Sequence, residues 1–178
     1  MSTKFKNSPI FLCGFMSAGK STSGKILAGM LGYAFADTDG EISRQHGISV
    51  PDFISQNGFK KFRREERRIL RHLSSRKKIV ISCGGGLYPT SATADFFSKG
   101  ISIFLDLPEE ILAERISKNL SAYPKFAKIS SKNELGKGIR ALLLRRIKFY
   151  EKCDLRYSPR NSSPEQATAE IAEMIMFL

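Results

Sequence analysis

The chain has 178 residues, 42% of them hydrophobic, with 29 Lys and Arg against 17 Asp and Glu and a formal net charge of +12. That length suits one domain, and that apolar content excludes a disordered chain. No apolar run approaches the ~20 residues of a membrane span, and the opening "MSTKFKNSP" lacks the roughly 7–15-residue apolar segment of a signal peptide. Three cysteines, Cys13, Cys83 and Cys153, are an odd number with no close pair and read as reduced thiols, so a cytoplasmic location without membrane attachment is expected. The basic excess invites a nucleic-acid reading. Zinc-finger spacing, a basic zipper and an RNA-binding aromatic signature are all missing, so the surface charge is expected to focus small polyanions instead.

In chain order, "PIFLC" (9–13) is a strand-length apolar run followed by "GFMSAGKST" (14–22). The latter fits G-x-x-x-x-G-K-[ST] in full through Gly14, Gly19, Lys20 and Ser21, and it sits between a strand and a helical pattern, as that motif requires. Backbone N–H groups of such a loop hold phosphate oxygens, Lys20 neutralises β/γ charge, and Ser21 coordinates Mg²⁺. The NKxD motif of guanine readers is absent, which favours ATP.

A second strand, "YAFAD" (33–37), runs into "DTD", Asp37 to Asp39. Carboxylates at a strand's C-terminal end lie where open α/β sheets bind ligands; one could hold a metal's hydration shell and the other could accept a substrate proton. Asp is equally suited to a turn and to capping a helix at 40–46. Ser49 and Pro51 then mark a helix start. "FKKFRREERR" (59–68) reads as a solvated helix with pairs Lys61–Glu65 and Glu65–Arg68, in which one arginine could turn inward to clamp a carboxylate.

"KIVISC" (78–83) is a third strand, and the three glycines after it (84–86) imply a tight turn or a close approach, with bare N–H groups beside a substrate. "ISIFLD" (101–106) is a fourth strand, and Pro108 with two glutamates opens the next helix. Residues 119–138 lack a clean period and read as a long exposed loop of the kind that forms lids. "DLRYS" (154–158) is a weaker strand, and from Pro164 a helix places Ile171, Met174, Ile175 and Leu178 on one stripe. Strands alternating with helices, and continuous rather than alternating apolarity, predict an α/β fold with a mainly parallel sheet covered on both faces.

The order and spacing of "GFMSAGKST", "DTD", "FRREE" (62–66), "CGGG" (83–86) and "RRIKFYEKCD" (145–154) resemble the shikimate kinases, over about residues 10–165. The resemblance implies a three-layer P-loop kinase fold, nucleoside-monophosphate-kinase-like. A five-stranded parallel sheet would be flanked by helices, with substrate-binding helices at about 38–75 and a lid at about 119–138, all in a single domain of residues 1–178. It implies transfer of the ATP γ-phosphoryl group to the 3-hydroxyl of shikimate, with Mg²⁺; separately, a monomer without nucleic-acid partners is expected. ATP would be held by Ser17, Ala18, Gly19, Lys20, Ser21, Thr22 and Arg115, and the metal by Ser21 and Asp37. Lys20, Asp37 and Asp39 would be catalytic, Asp37 serving the metal or acting as base. Shikimate would be bound by Asp39, Arg63, Gly84, Gly85, Gly86 and Arg146. Neither motif nor resemblance assigns the adenine contact, for which the loop at 156–164 is a guess.

The chain departs from the family pattern at several points. Ser17 replaces a loop glycine, Phe59 stands where a glutamate is usual, and Lys148 replaces the proline of Arg-x-Pro-x-Tyr while Tyr150 is kept. The lid, a few residues longer than usual, shows "AYPKF" (122–126) in place of Arg-Pro-Leu-Leu, so the arginine that reaches the transferring phosphate is missing. Lys125 or Lys128 could supply charge there, as point donors. Two alternatives remain open at this point. One is a kinase for another small hydroxylated acceptor, such as gluconate or a nucleoside monophosphate. The other is a catalytically weak nucleotide-binding relative with an interaction role.

Overall fold

The computed structural model describes residues 7–159 and 162–178. The polar opening stretch therefore lies largely outside the described residues, as does part of the 156–164 loop. Five strands form one sheet: β1 (Ile10–Gly14), β2 (Ala34–Asp37), β3 (Ile79–Ser82), β4 (Ile101–Leu105) and β5 (Leu155–Tyr157). All pairings are parallel and the order is β2-β3-β1-β4-β5. β1, β3 and β4 are buried at every position, which is why they read as unbroken apolar runs.

Side chains alternate across the sheet. Ile10, Leu12, Val80, Ile103 and Leu105 pack on one face against α1 (Lys20–Leu31), α5 (Glu109–Ser117), α6 (Lys132–Tyr150) and α7 (Pro164–Met176). Phe11, Cys13, Ile79, Ile81 and Phe104 pack on the other against α2 (Thr38–His46), α3 (Val50–Leu73), Phe96 and Phe97 of the short α4 (Ala94–Phe97), and Tyr150. The result is the expected three-layer arrangement. β1 is central, paired with β3 on one side and β4 on the other. The C-terminal ends of all five strands share one edge, where ligands settle in open α/β sheets.

Three local expectations are corrected. Residues 132–138 are not loop: they form the first turns of α6, capped by the Ser131 side chain, which accepts from Glu134 N. Gly136 and Gly138 hid this helix in the sequence; a Cβ on Gly138 would meet the Phe126 ring at 3.3 Å, so the glycine lets the preceding segment pack close. Lys61 bonds Asn57 rather than Glu65, because Glu65 is already taken by Arg68 at 2.8 Å and His46 at 3.6 Å. Finally, α7 ends at Met176; Ile171 and Ile175 are buried, but Met174 is only half-buried and Leu178 lies beyond the helix. Long α3 is bent at Gly58, whose φ of 76 interrupts the helix before Phe59. Among the described residues no helix is long and apolar enough to cross a membrane.

Candidate active site

The loop between β1 and α1 is wrapped to expose backbone rather than side chains. Gly14 has φ 144 and a Cβ there would lie 2.7 Å from the Leu105 carbonyl oxygen; Gly19 has φ 89 and forms the N-cap of α1. Ser17 also takes a left-handed conformation, φ 62, so the serine adopts the geometry a glycine would supply. Lys20 is buried, and its Nζ donates to the Phe15 carbonyl at 2.7 Å. Burial lowers its pKa, opposed by the nearby Asp39 and Asp37 carboxylates.

A cavity of about 360 Å³ is bounded by Ser17, Gly19, Lys20, Ser21, Thr22, Arg115 and Tyr123. A neighbouring one of about 230 Å³ has Ala18, Thr22, Tyr157, Pro159, Ser162 and Pro164 in its walls. The first could take phosphates at the helix N-terminus. The second, half apolar and beside the described part of the 156–164 loop, could take a nucleoside. Arg115 borders both, and its Nη1 donates to the Ser17 carbonyl at 3.1 Å.

"DTD" turns the corner from β2 to α2. Asp37 is the N-cap, with Oδ1 accepting from Asp39 N and Gly40 N, both at 3.0 Å, while Oδ2 accepts from Ser21 Oγ at 2.5 Å. The capping and metal-side readings of Asp37 are therefore compatible, one on each oxygen. Thr38 Oγ1 accepts from Gly84 N at 2.8 Å, which uses the N–H that the sequence reading left bare for a substrate.

Asp39 differs from its neighbour. Its Oδ1 is buried with no hydrogen-bond partner, and so is Oε1 of Glu66 on α3. Burial, reinforced by Asp37, pushes the Asp39 carboxyl up to about 6 against the pull of Lys20 and Arg63. Burial likewise pushes Glu66 to about 7, outweighing Arg63, although Arg63 Nη1 donates directly to Glu66 Oε2. The ion pair shows that Arg63 holds one oxygen; the dry surroundings dominate the titration.

The glycine triplet explains itself in this setting. None of the three has positive φ; each is required by what approaches it. A Cβ on Gly84 would lie 2.6 Å from both Asp39 Oδ1 and Glu66 Oε1, one on Gly85 would meet Met16 N at 3.1 Å, and one on Gly86 would collide with the Arg63 guanidinium. The crowding partners are the protein's own groups. Gly85 O accepts from buried Arg146 and from the Tyr150 hydroxyl at 2.6 Å, so β3's exit loop fixes the second arginine.

Together these residues wall a cavity of about 260 Å³ beside the phosphate loop, bordered by Asp39, Arg63, Glu66, Gly85, Gly86 and Arg146 and also by Phe59, Tyr123 and Lys125. The Lys125 ammonium sits 5.0 Å from the Phe59 ring centre, so two departures from the family pattern touch each other. Burial and the charges of Arg146, Arg63 and Arg145 lower the Lys125 pKa. Lys128 does not border the cavity, and Lys148 sits exposed on α6 without interrupting it.

Glu66 and Tyr123 border the site although no motif marks them. Glu66 could have been found: Phe62, Ile69 and Leu73 form a buried stripe on α3, and a glutamate four residues after Phe62 interrupts it. Tyr123 had no comparable signal.

Comparison with known proteins agrees in sequence and in shape. The family model described as shikimate kinase matches residues 16–176. A shikimate kinase of Persephonella marina is 37% identical over 163 residues, covering 91% of this chain and 95% of its own. One from Aquifex aeolicus is 35% identical over 163 residues, covering 91% and 92%. The solved shikimate kinase from Acinetobacter baumannii in complex with shikimate superposes with a TM-score of 0.87 at 29% identity, covering 96% of this chain and 93% of that one. A gluconokinase from Sinorhizobium meliloti gives a TM-score of 0.54 at 20% identity, a likeness of fold alone.

Proposed function

The chain belongs to the shikimate kinase family, and from this we infer that it transfers the γ-phosphoryl group of ATP to the 3-hydroxyl of shikimate. The reaction yields ADP and shikimate 3-phosphate, a step of aromatic amino-acid biosynthesis. One observation carries the assignment to this cavity: two buried, unpartnered carboxyl oxygens, Asp39 Oδ1 and Glu66 Oε1, sit beside two arginines next to a phosphate loop. Buried oxygens without donors are costly, and a polyhydroxylated acid supplies O–H donors for them and a carboxylate for the arginines.

In this reading Arg63 and Arg146 bind the carboxylate and orient the ring. Asp39 accepts the hydrogen bond of the reacting hydroxyl and takes its proton as the new P–O bond forms and the bond to the β-phosphate oxygen breaks. Asp37 is unsuited to that role, since both its oxygens are engaged by Ser21 and by backbone N–H groups. Lys20 spends one of its three donors on Phe15 and retains the others for phosphate oxygens. Gly84, Gly85 and Gly86 keep the wall thin enough for Asp39, Glu66 and Arg63 to face the acceptor.

The oxygen-rich corner formed by Ser21 Oγ, Asp37 Oδ2 and Ser82 Oγ, with the hydroxyls 3.2 Å apart, fits a hard divalent cation such as Mg²⁺. When bound there, the ion would neutralise β/γ-phosphate charge. The same reading has the chain working as a cytoplasmic monomer without a nucleic-acid partner, with residues 119–131 serving as its lid.

Arg63→Ala tests the acceptor site. Losing a charge-assisted hydrogen bond to a carboxylate weakens shikimate binding by roughly 10- to 100-fold, while ATP affinity holds. Undisturbed shikimate affinity in a calorimetric titration would remove Arg63 from the site.

A further inference from the structure

Residues 119–131 touch the phosphate loop through a pair of hydroxyls. Ser17 Oγ and Tyr123 Oη lie 2.6 Å apart, although 106 positions separate the residues in the chain. Each partner is braced. The Ser17 carbonyl accepts from Arg115 Nη1 at 3.1 Å. Around Tyr123, its N–H donates to Leu120 O at 2.9 Å and its carbonyl accepts from Phe126 N at 2.8 Å. Ser17 holds this place with φ 62, a conformation that disfavours any side chain and that glycine would adopt freely. What serine adds over glycine is the hydroxyl, and that hydroxyl goes to Tyr123.

Tyr123 also occupies a boundary. It lines the cavity over the phosphate loop and, on its other side, the acceptor cavity. Among the described residues it is the one member of 119–131 that reaches the phosphate cavity. A phosphoryl group moving from donor to acceptor has to cross where those two cavities adjoin. Water in the same place is a competing nucleophile: its oxygen would take the γ-phosphoryl group, giving ADP and inorganic phosphate.

We propose that Tyr123 is a positioning residue for phosphoryl transfer, its hydroxyl latching the lid segment onto Ser17 so that the aromatic ring closes the junction of the donor and acceptor cavities against water. The proposal rests on the shikimate kinase reading and extends it to Tyr123, which no motif supplies, and to the side chain of Ser17 within the phosphate loop. The latch is neutral, so it requires no counter-charge and responds little to ionic strength.

Tyr123→Phe, Ser17→Ala and the double variant are compared by following ADP release with ATP alone and with ATP plus shikimate. Each single variant is expected to lower shikimate-dependent kcat by about 2- to 10-fold, the range of one hydrogen bond, with little change in the KM for shikimate. ADP release without acceptor should rise in both. The double variant should match Tyr123→Phe, because each substitution removes the same bond. A purely structural role would lower stability and both activities together, without raising the hydrolysis-to-transfer ratio. Unchanged ratios in both singles, or effects that multiply in the double, would overturn the latch. If Tyr123→Phe does not fold, Ser17→Ala decides alone, since it breaks the latch without altering Tyr123 itself. Wild-type protein that turns over no shikimate would instead overturn the underlying functional reading.

Discussion

Asp39→Asn should make the protein more stable and nearly inactive. The aspartate is held in a dry site where burial and Asp37 raise its pKa from 3.8 to about 6. A carboxyl whose folded pKa lies above its unfolded value binds more protons when folded, so stability falls as pH rises between the two values. The penalty is complete above pH 6 and absent well below pH 4. Two pKa steps at about 1.4 kcal/mol each set the cost on the order of 3 kcal/mol at neutral pH. An amide avoids that ionisation, and its N–H₂ can donate to the unpartnered Glu66 Oε1, which crowds the same point beside Gly84. For a domain of this size the gain corresponds to a rise in Tm of roughly 5–10 °C at pH 8, shrinking toward zero near pH 4. Shikimate-dependent turnover should fall by about 10²- to 10⁴-fold, as when a general base is lost. Calorimetric melts across that pH range, beside an ADP-release assay, provide both readings. A Tm change equal at pH 4 and pH 8, or a destabilised variant, would refute the claim that an ionised, poorly solvated Asp39 is maintained for function.

The wild-type kcat/KM should climb between about pH 5 and pH 7 as Asp39, with a pKa near 6, ionises to accept the hydroxyl proton; a flat profile over that range would exclude it as the base. Gly86→Ala should cost shikimate affinity by roughly 10-fold or more, because the added methyl displaces the Arg63 guanidinium, and binding calorimetry would show it. Lys125→Ala should lower kcat if the ammonium now seated over Phe59 neutralises the transferring group; unchanged kcat would leave it a surface cation.

Much of this site could be read directly from the chain because its chemistry is local. The P-loop is a contiguous stretch with a fixed backbone demand, and β1, β3 and β4 announce themselves as continuous apolar runs because both faces of the sheet are covered. "DTD" was legible as a pair, but its division of labour was not. Only the fold shows Asp37 consumed by a helix cap and Ser21 while Asp39 is left without a donor. The triple glycine signalled a close approach, yet the approaching groups come from β2–α2 and α3, far away in sequence. Residues 132–138 were obscured by two glycines whose value lies in tertiary packing, which overrides helix propensity. The pairings Ser17–Tyr123 and Phe59–Lys125 span 106 and 66 positions, and no local period encodes them. Each residue alone looks like a departure from the family pattern; in the fold they meet in pairs.

ADP release by the purified protein with ATP and Mg²⁺, followed with shikimate, gluconate and nucleoside monophosphates in parallel, tests which acceptor the site serves. The site geometry predicts turnover that depends on shikimate and is absent with the other acceptors. Nucleotide binding without shikimate-dependent turnover, or faster turnover on gluconate, would contradict it.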